Sequence, residues 1–143
     1  MNIGFIPAKT ARLAPDREAL IDVPNDRRIT YGELDRRVIK LANGFLYAGL
    51  KKGDRVAILS KNCIEYLEVY FACARVGLIA QPLNWRLGLE ELTRIIENGE
   101  PSILVCSDEY LDMANDLAEV VSRICVFGTN SDGSYEALVT TGS

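Results

Sequence analysis

The sequence contains no histidine, and that one absence removes every Ser-His or Cys-His nucleophile and every histidine-bound metal. Its four cysteines, Cys63, Cys73, Cys106 and Cys125, never form a C-x-x-C pair, so neither a zinc ribbon nor a thioredoxin-like redox motif is indicated. Three of them lie in apolar runs and read as small buried hydrophobes. Cys63 falls at a helix start, where the positive dipole end would lower a thiol pKa, but a structural reading is preferred there too. Long apolar runs are also missing. The richest window, residues 69–83, is broken by Arg75 and Gln81 and is too short to span a bilayer. The opening MNIGFIPAKTARLAP has neither the basic start nor the apolar core of an export signal. With no sign of a disulfide framework either, the expected compartment is the cytoplasm.

What is present fits one soluble domain. A chain of 143 residues can bury about two-thirds of its unfolded surface. The net charge of −4 opposes broad electrostatic binding of nucleic acid. Residues 19–23 and 28–30 flank Pro24-Asn25-Asp26, a turn signal, and so predict a β-hairpin. A helix follows, opened by the capping box Thr30-x-x-Glu33, with Leu34, Val38, Leu41 and Phe45 along one face and glycines 49 and 53 beyond its end. Strands are expected at 55–60, 78–83, 103–106 and 124–127. Between them lie a helix near residue 62, with Ile64, Leu67, Phe71 and Ala74 as its buried stripe, and a helix over 88–97 with Leu89, Leu92 and Ile96 inward. Ser107-Asp108-Glu109 reads as a capped acidic helix start. Residues 128–134 read as a flexible polar loop and 135–143 as a helical turn ending in a frayed tail. The alternation implies an α/β fold: a mostly parallel sheet with right-handed crossovers and helices on both faces, preceded by a short hairpin. No linker divides residues 1–143, which read as a single α/β domain.

Candidate chemistry is sparse. Gly44-x4-Gly49 has the spacing of a Walker A pair, but Leu50 follows where a lysine is needed, and Gly44 lies within a helix as a close-packing position. No G-x-G-x-x-G follows a strand. Thr140-Thr141-Gly142-Ser143 resembles part of a Ser/Thr/Gly-rich phosphate loop but lacks a second glycine and a lysine. The pairs Glu65 with Glu68 and Glu90 with Glu91 read as helix starts and solvated faces, not as a general acid and base. By residue type alone, this is a doubly wound α/β domain without an evident active site.

Three stretches add a resemblance. The first runs from Ile29 to Asp35 (ITYGELD), through Leu41 to Gly44 (LANG), to Gly49–Ile58 (GLKKGDRVAI). The second joins Phe71–Gly77 (FACARVG) to Ala80–Asn84 (AQPLN). The third is Asn84-Trp85-Arg86-Leu87, with Glu91-Leu92 behind it. In this order they resemble the first core motifs of the adenylate-forming superfamily, which includes acyl-CoA synthetases, luciferases and peptide-synthetase adenylation domains. The third stretch is similar to the form found in acyl- and aryl-CoA synthetases.

The resemblance covers residues 14–127 and implies the N-terminal portion of the large domain of a longer ATP-dependent, long-chain fatty acyl-CoA synthetase. That protein would use ATP, Mg²⁺, CoA and a carboxylic acid substrate. The family's phosphate loop, adenine-binding motif and C-terminal lysine have no counterparts here, so the segment is expected to be scaffold, inactive alone and without catalytic residues. Arg86 matches an arginine that, in related aryl-CoA ligases, lies near the 3′-phosphate of CoA, and a guanidinium suits phosphate. The alternative for Arg86 is a structural role, bonding backbone carbonyls near Pro82. The expected partner is the rest of the same chain, with self-association if apolar surface is bared. One rival is an aryl-CoA ligase or luciferase-like enzyme, and another is a non-catalytic α/β binding or oligomerisation module.

Overall fold

The computed structural model describes residues 2–142, and among these no peptide bond is cis. A single 3₁₀ turn (Ile3–Phe5) leads into α1 (Ile6–Leu13), followed by a hairpin of β1 (Glu18–Asp22) and β2 (Arg27–Thr30). There follow α2 (Tyr31–Tyr47), β3 (Arg55–Leu59), α3 (Ile64–Val76), β4 (Ile79–Pro82), α4 (Leu89–Gly99), β5 (Ile103–Ser107), α5 (Leu111–Asp116), β6 (Ile124–Phe127) and α6 (Ser134–Thr141). The opening helix has no periodic signal of its own and was missed in the sequence. It is held by neighbours instead, with Gly4 set against the backbone of Ala74 and Arg75 too closely to admit a Cβ.

The main sheet is wholly parallel, in the order β4-β3-β5-β6. Its strands read as unbroken apolar runs because both faces are covered. Successive side chains point to opposite faces, so each strand divides its residues between two cores. Val56, Ile58, Ile103, Val105, Cys125 and Phe127 pack with α2, α3 and α6. Ala57, Leu59, Leu104, Cys106 and Val126 pack with α4 and α5. Pro82 falls on edge strand β4, opposite Ile58, where its missing N–H costs no central ladder bond.

Local signals explain most boundaries. Thr30 Oγ1 accepts from Glu33 N, and the Glu33 carboxylate accepts from Thr30 N at 2.8 Å. Those bonds hold the Glu33 pKa below its ordinary value. Gly77, at φ +77°, ends α3 in the left-handed conformation that other residues rarely adopt. On α2, Leu34, Val38, Leu41 and Phe45 are all buried, as expected from their spacing. On α4, Leu92 and Ile96 are buried but Leu89 is 40% exposed.

Helix α3 departs from its sequence reading. The expected stripe included Leu67, which is 37% exposed, while Ile64 is buried as expected and Val69, Ala72 and Cys73 join it in the core with Glu65 and Glu68. An apolar count set the buried face to one side because it could not foresee partners for two carboxylates. Glu68 has no exposure at all. It receives two hydrogen bonds from the Arg37 guanidinium, one of them Nη2 to Oε2 at 3.1 Å, and another from Tyr135 Oη at 2.7 Å. Arg37 reaches on to Glu136 at 2.7 Å. Burial opposes the charge on Arg37, but Glu136 and Glu68 outweigh it and raise its pKa.

That cluster also holds the C-terminal residues. Residues 128–143, read as a flexible loop and then a helical turn with a frayed end, carry α6 from Ser134 to Thr141, longer than one turn, with Tyr135 fully buried. Ser143 lies outside the described residues. Ser134 Oγ accepts from Val126 N at 2.8 Å, satisfying an edge-strand N–H, and Asp132 accepts from Ser134 N at 2.9 Å at the helix start. Close passage of α6 over Gly44 leaves no room for a Cβ beside Leu138 O, so Gly44 is the close-packing position its place in α2 suggested.

Removing one partner of a buried ion pair strands the other charge, at about 3–5 kcal/mol for full burial. Because the Arg37 side chain is 29% exposed, Arg37→Ala should cost less than that range, about 2–3 kcal/mol. Glu136→Gln, at a partner 57% exposed, should cost under about 1 kcal/mol. Urea unfolding of both variants checks the order; equal losses would show that Glu68 does not depend on Arg37.

Candidate functional site

The carboxyl ends of parallel strands are where open α/β sheets bind ligands, and a sizeable hollow among the described residues lies there. A cleft of about 730 Å³ opens beyond β3, β5 and β6, walled on one side by the turn of the hairpin. Its rim includes Ser60, Lys61 and Cys63 after β3, Ser107 and Asp108 at the end of β5, and Gly128 after β6. Gly128 has φ +117° and lies so close to the Asp108 carboxylate that a Cβ would collide with it. The same carboxylate accepts from Asn130 N at 2.8 Å. Asp108 therefore ties down the 128–134 loop, and Ser107, expected to cap a helix, makes no cap hydrogen bond. Ser107 Oγ is buried without a hydrogen-bond partner among the described residues.

The cleft is acidic. Asp22, Glu65, Asp108, Glu109 and Glu136 line it against only Arg27 and Lys61. Both cations are already engaged, Arg27 with Glu65 at 2.7 Å and Lys61 with Glu109 at 2.6 Å. Such a lining repels a polyphosphate. Among the described residues no group of three or more Cys, Asp or Glu is arranged to hold a metal ion. The lining therefore does not suit the phosphates of ATP.

Arg86 sits elsewhere, on the exposed turn between β4 and α4. Its backbone N donates to Asn84 Oδ1 at 3.0 Å, and its guanidinium lies over the Trp85 ring, Cζ 4.9 Å from the centroid. The opposing expectation was that this side chain bonds backbone carbonyls near Pro82. No such bond is present among the described residues, where the guanidinium has neither a hydrogen bond nor an ion pair. Lys61 Nζ lies 5.1 Å from the same ring centroid, and Tyr110 flanks it at 6.3 Å. Sequence reasoning found Arg86 but missed Lys61 and Tyr110, which are 25 residues before and 24 after it and meet it only through the sheet.

The cysteines are free thiols, as their apolar settings suggested. Burial pushes Cys73 and Cys106 up to about 12 and Cys125 up to about 11, from an ordinary 9.0. Cys63 sits at the N-cap of α3, yet its pKa is also raised, because loss of solvation outweighs its hydrogen bonds from Ser60 and Tyr66. The dipole-lowered thiol considered from sequence is not what the fold produces. Among the described residues no helix is long and apolar enough to cross a membrane.

The fold is an α/β domain with a cleft at the strand ends. The comparisons make this specific: the chain belongs to the AMP-binding enzyme family, whose model matches residues 8–141, beyond the 14–127 expected. It is 40% identical over 117 residues to a feruloyl-CoA synthase from Amycolatopsis sp, covering 82% of this chain and 23% of that protein. It is 33% identical over 129 residues to a crotonobetaine/carnitine–CoA ligase from Salmonella typhi, covering 87% and 24%. A long-chain-fatty-acid-CoA ligase from Archaeoglobus fulgidus superposes with a TM-score of 0.90 at 23% identity, over 100% of this chain and 30% of that one; this likeness supports the fold. The chain thus spans about a quarter of the length of the curated relatives it matches.

A thiol whose folded pKa is raised stabilises the fold fully below its unfolded value, and that contribution disappears as pH rises through the folded value. For Cys73 and Cys106 the window runs from 9.0 to about 12. Urea midpoints should hold between pH 7 and pH 8.5 and then fall steadily above pH 9. At pH 7.5 a thiol reagent should label the native chain slowly and all four cysteines rapidly in urea; fast native labelling at Cys73 or Cys106 would contradict the burial.

Proposed function

We propose that this chain is the N-terminal scaffold of an acid–thiol ligase that joins a carboxylic acid to CoA through an acyl-adenylate, releasing pyrophosphate and AMP. The observation that carries this reading is the family match over residues 8–141 together with two curated relatives that are both CoA ligases. ATP and Mg²⁺ belong to the whole enzyme. When bound there, Mg²⁺ would offset phosphate charge at the reacting centre. The residues of this chain take none of that role; its acidic cleft would disfavour ATP, and its glycines and paired ions build the fold. We place it in the cytoplasm, packed against the remainder of its own chain as one truncated domain. Exposed apolar residues such as Val23 at 78% and Tyr47 at 72% favour self-association of the isolated segment.

The substrate reading is a fatty acid, with an aromatic acid as the second reading because the feruloyl-CoA synthase matches at 40% identity. Initial rates of the full-length enzyme on a panel of both acid types would separate the two. The segment alone should show no ATP–pyrophosphate exchange with any acid; exchange above a heat-killed control would refute the scaffold role.

Arg86 is the one residue proposed to meet a cofactor, through the 3′-phosphate of CoA. A charge-assisted contact is worth about 1.5–3 kcal/mol. Discounted for an exposed site, Arg86→Ala in the full-length enzyme should raise the KM for CoA roughly five- to thirtyfold. Pyrophosphate exchange measured without CoA should be unchanged. Equal damage to both half-reactions would make Arg86 structural.

A further inference from the structure

The surroundings of Arg86 assign roles that its motif alone does not. A guanidinium with no ion pair, in a protein of net charge −4, normally swings free in water and loses conformational entropy when it binds. Here two features restrain it. The Asn84 side chain accepts from Arg86 N at 3.0 Å, fixing the turn, and the Trp85 ring lies under the guanidinium at 4.9 Å. The ring is 36% exposed, and it is steadied by Tyr110 on another element. Lys61 comes to the same ring at 5.1 Å, so the two cations lie no more than about 10 Å apart, comparable with the screening length at physiological salt. Two like charges gathered on one ring repel unless an anion joins them. Glu109 partly serves Lys61, but that pair is about half exposed on both sides, so solvent screens it. It is readily exchanged.

Resting on the reading that Arg86 meets a CoA phosphate, we propose that Trp85 is the positioning residue for the Arg86 guanidinium and that Lys61 supplies the second cation of the same phosphate-monoester site. In the empty site Glu109 holds Lys61. When a phosphate dianion arrives, it replaces Glu109 on Lys61 and takes the open edge of the guanidinium. No covalent change is involved. The aromatic ring thus serves by holding Arg86 in place, which reduces the ordering cost of binding.

The test compares CoA with dephospho-CoA in the full-length enzyme. An exposed cation–π contact supports a roughly two- to fivefold effect. Trp85→Leu should raise the KM for CoA by that factor, leave the KM for dephospho-CoA and pyrophosphate exchange unchanged, and be rescued by Trp85→Phe. Lys61→Met should narrow the gap between the two thiols further, and Glu109→Gln should lower the KM for CoA. If Arg86→Ala narrows the gap but Trp85→Leu does not, the positioning role is overturned while the Arg86 reading stands. If neither narrows it, both fail. A second readout needs no turnover. Trp85 is the single tryptophan of this chain, so Arg86→Ala should change its emission spectrum, and an unchanged spectrum would show that the guanidinium does not rest on the ring.

Discussion

The structure depends on one carboxylate that has no access to water. Glu68 sits on α3 at the point where α2 and α6 meet it, and a charge in that position is tolerable only with opposite charge and hydrogen bonds supplied on the spot. Arg37 from α2 provides both and Tyr135 from α6 adds a third donor. The consequence is mutual. Burial and the Glu68 charge hold the Tyr135 phenol far above its ordinary pKa, keeping it the neutral donor that Glu68 needs. Three helices separated along the chain are thereby set in one arrangement over one face of the sheet. An apolar substitute could contribute as much burial, but it would not specify which helix meets which.

From that fixed face follows the character of the other regions. With α6 docked, the 128–134 loop is drawn back to the strand ends, where Asp108 and Ser134 hold it and the acidic cleft takes shape. The cleft and the Arg86 turn differ in charge and meet at Lys61 and Glu109: the cleft is lined mostly by carboxylates, while Arg86 has no anionic partner among the described residues. In an α/β domain the strand ends are the expected ligand position. Here the strand ends carry mostly carboxylates, and Arg86 lies on a turn beside the edge strand.

Legibility in the sequence tracked the range of each interaction. The Thr30–Glu33 capping box, the apolar face of α2 and the two-faced strands depend on neighbours within a few residues or on simple alternation, and all were readable. The misreadings share one cause. The α3 stripe was drawn through Leu67 because Glu65 and Glu68 looked solvated, and residues 135–143 were read as no more than a helical turn with a frayed end because the partners of this stretch, Arg37, Asn43 and Gly44, are about 100 positions away. The first helix was missed for the same reason, since its support comes from α2 and α3.

The sequence by itself determined the class of fold and the family, because periodicity, turn chemistry and ordered motifs are written locally along the chain. It also picked out Arg86, since a short motif carries that residue with it. Tertiary structure alone decided which carboxylates are buried, that the cysteine thiols are raised and not lowered, and that Lys61, Trp85 and Tyr110 gather beside Arg86. Those outcomes turn on desolvation and on opposite charges meeting across the fold. Both depend on distances in space, which spacing along a chain does not record.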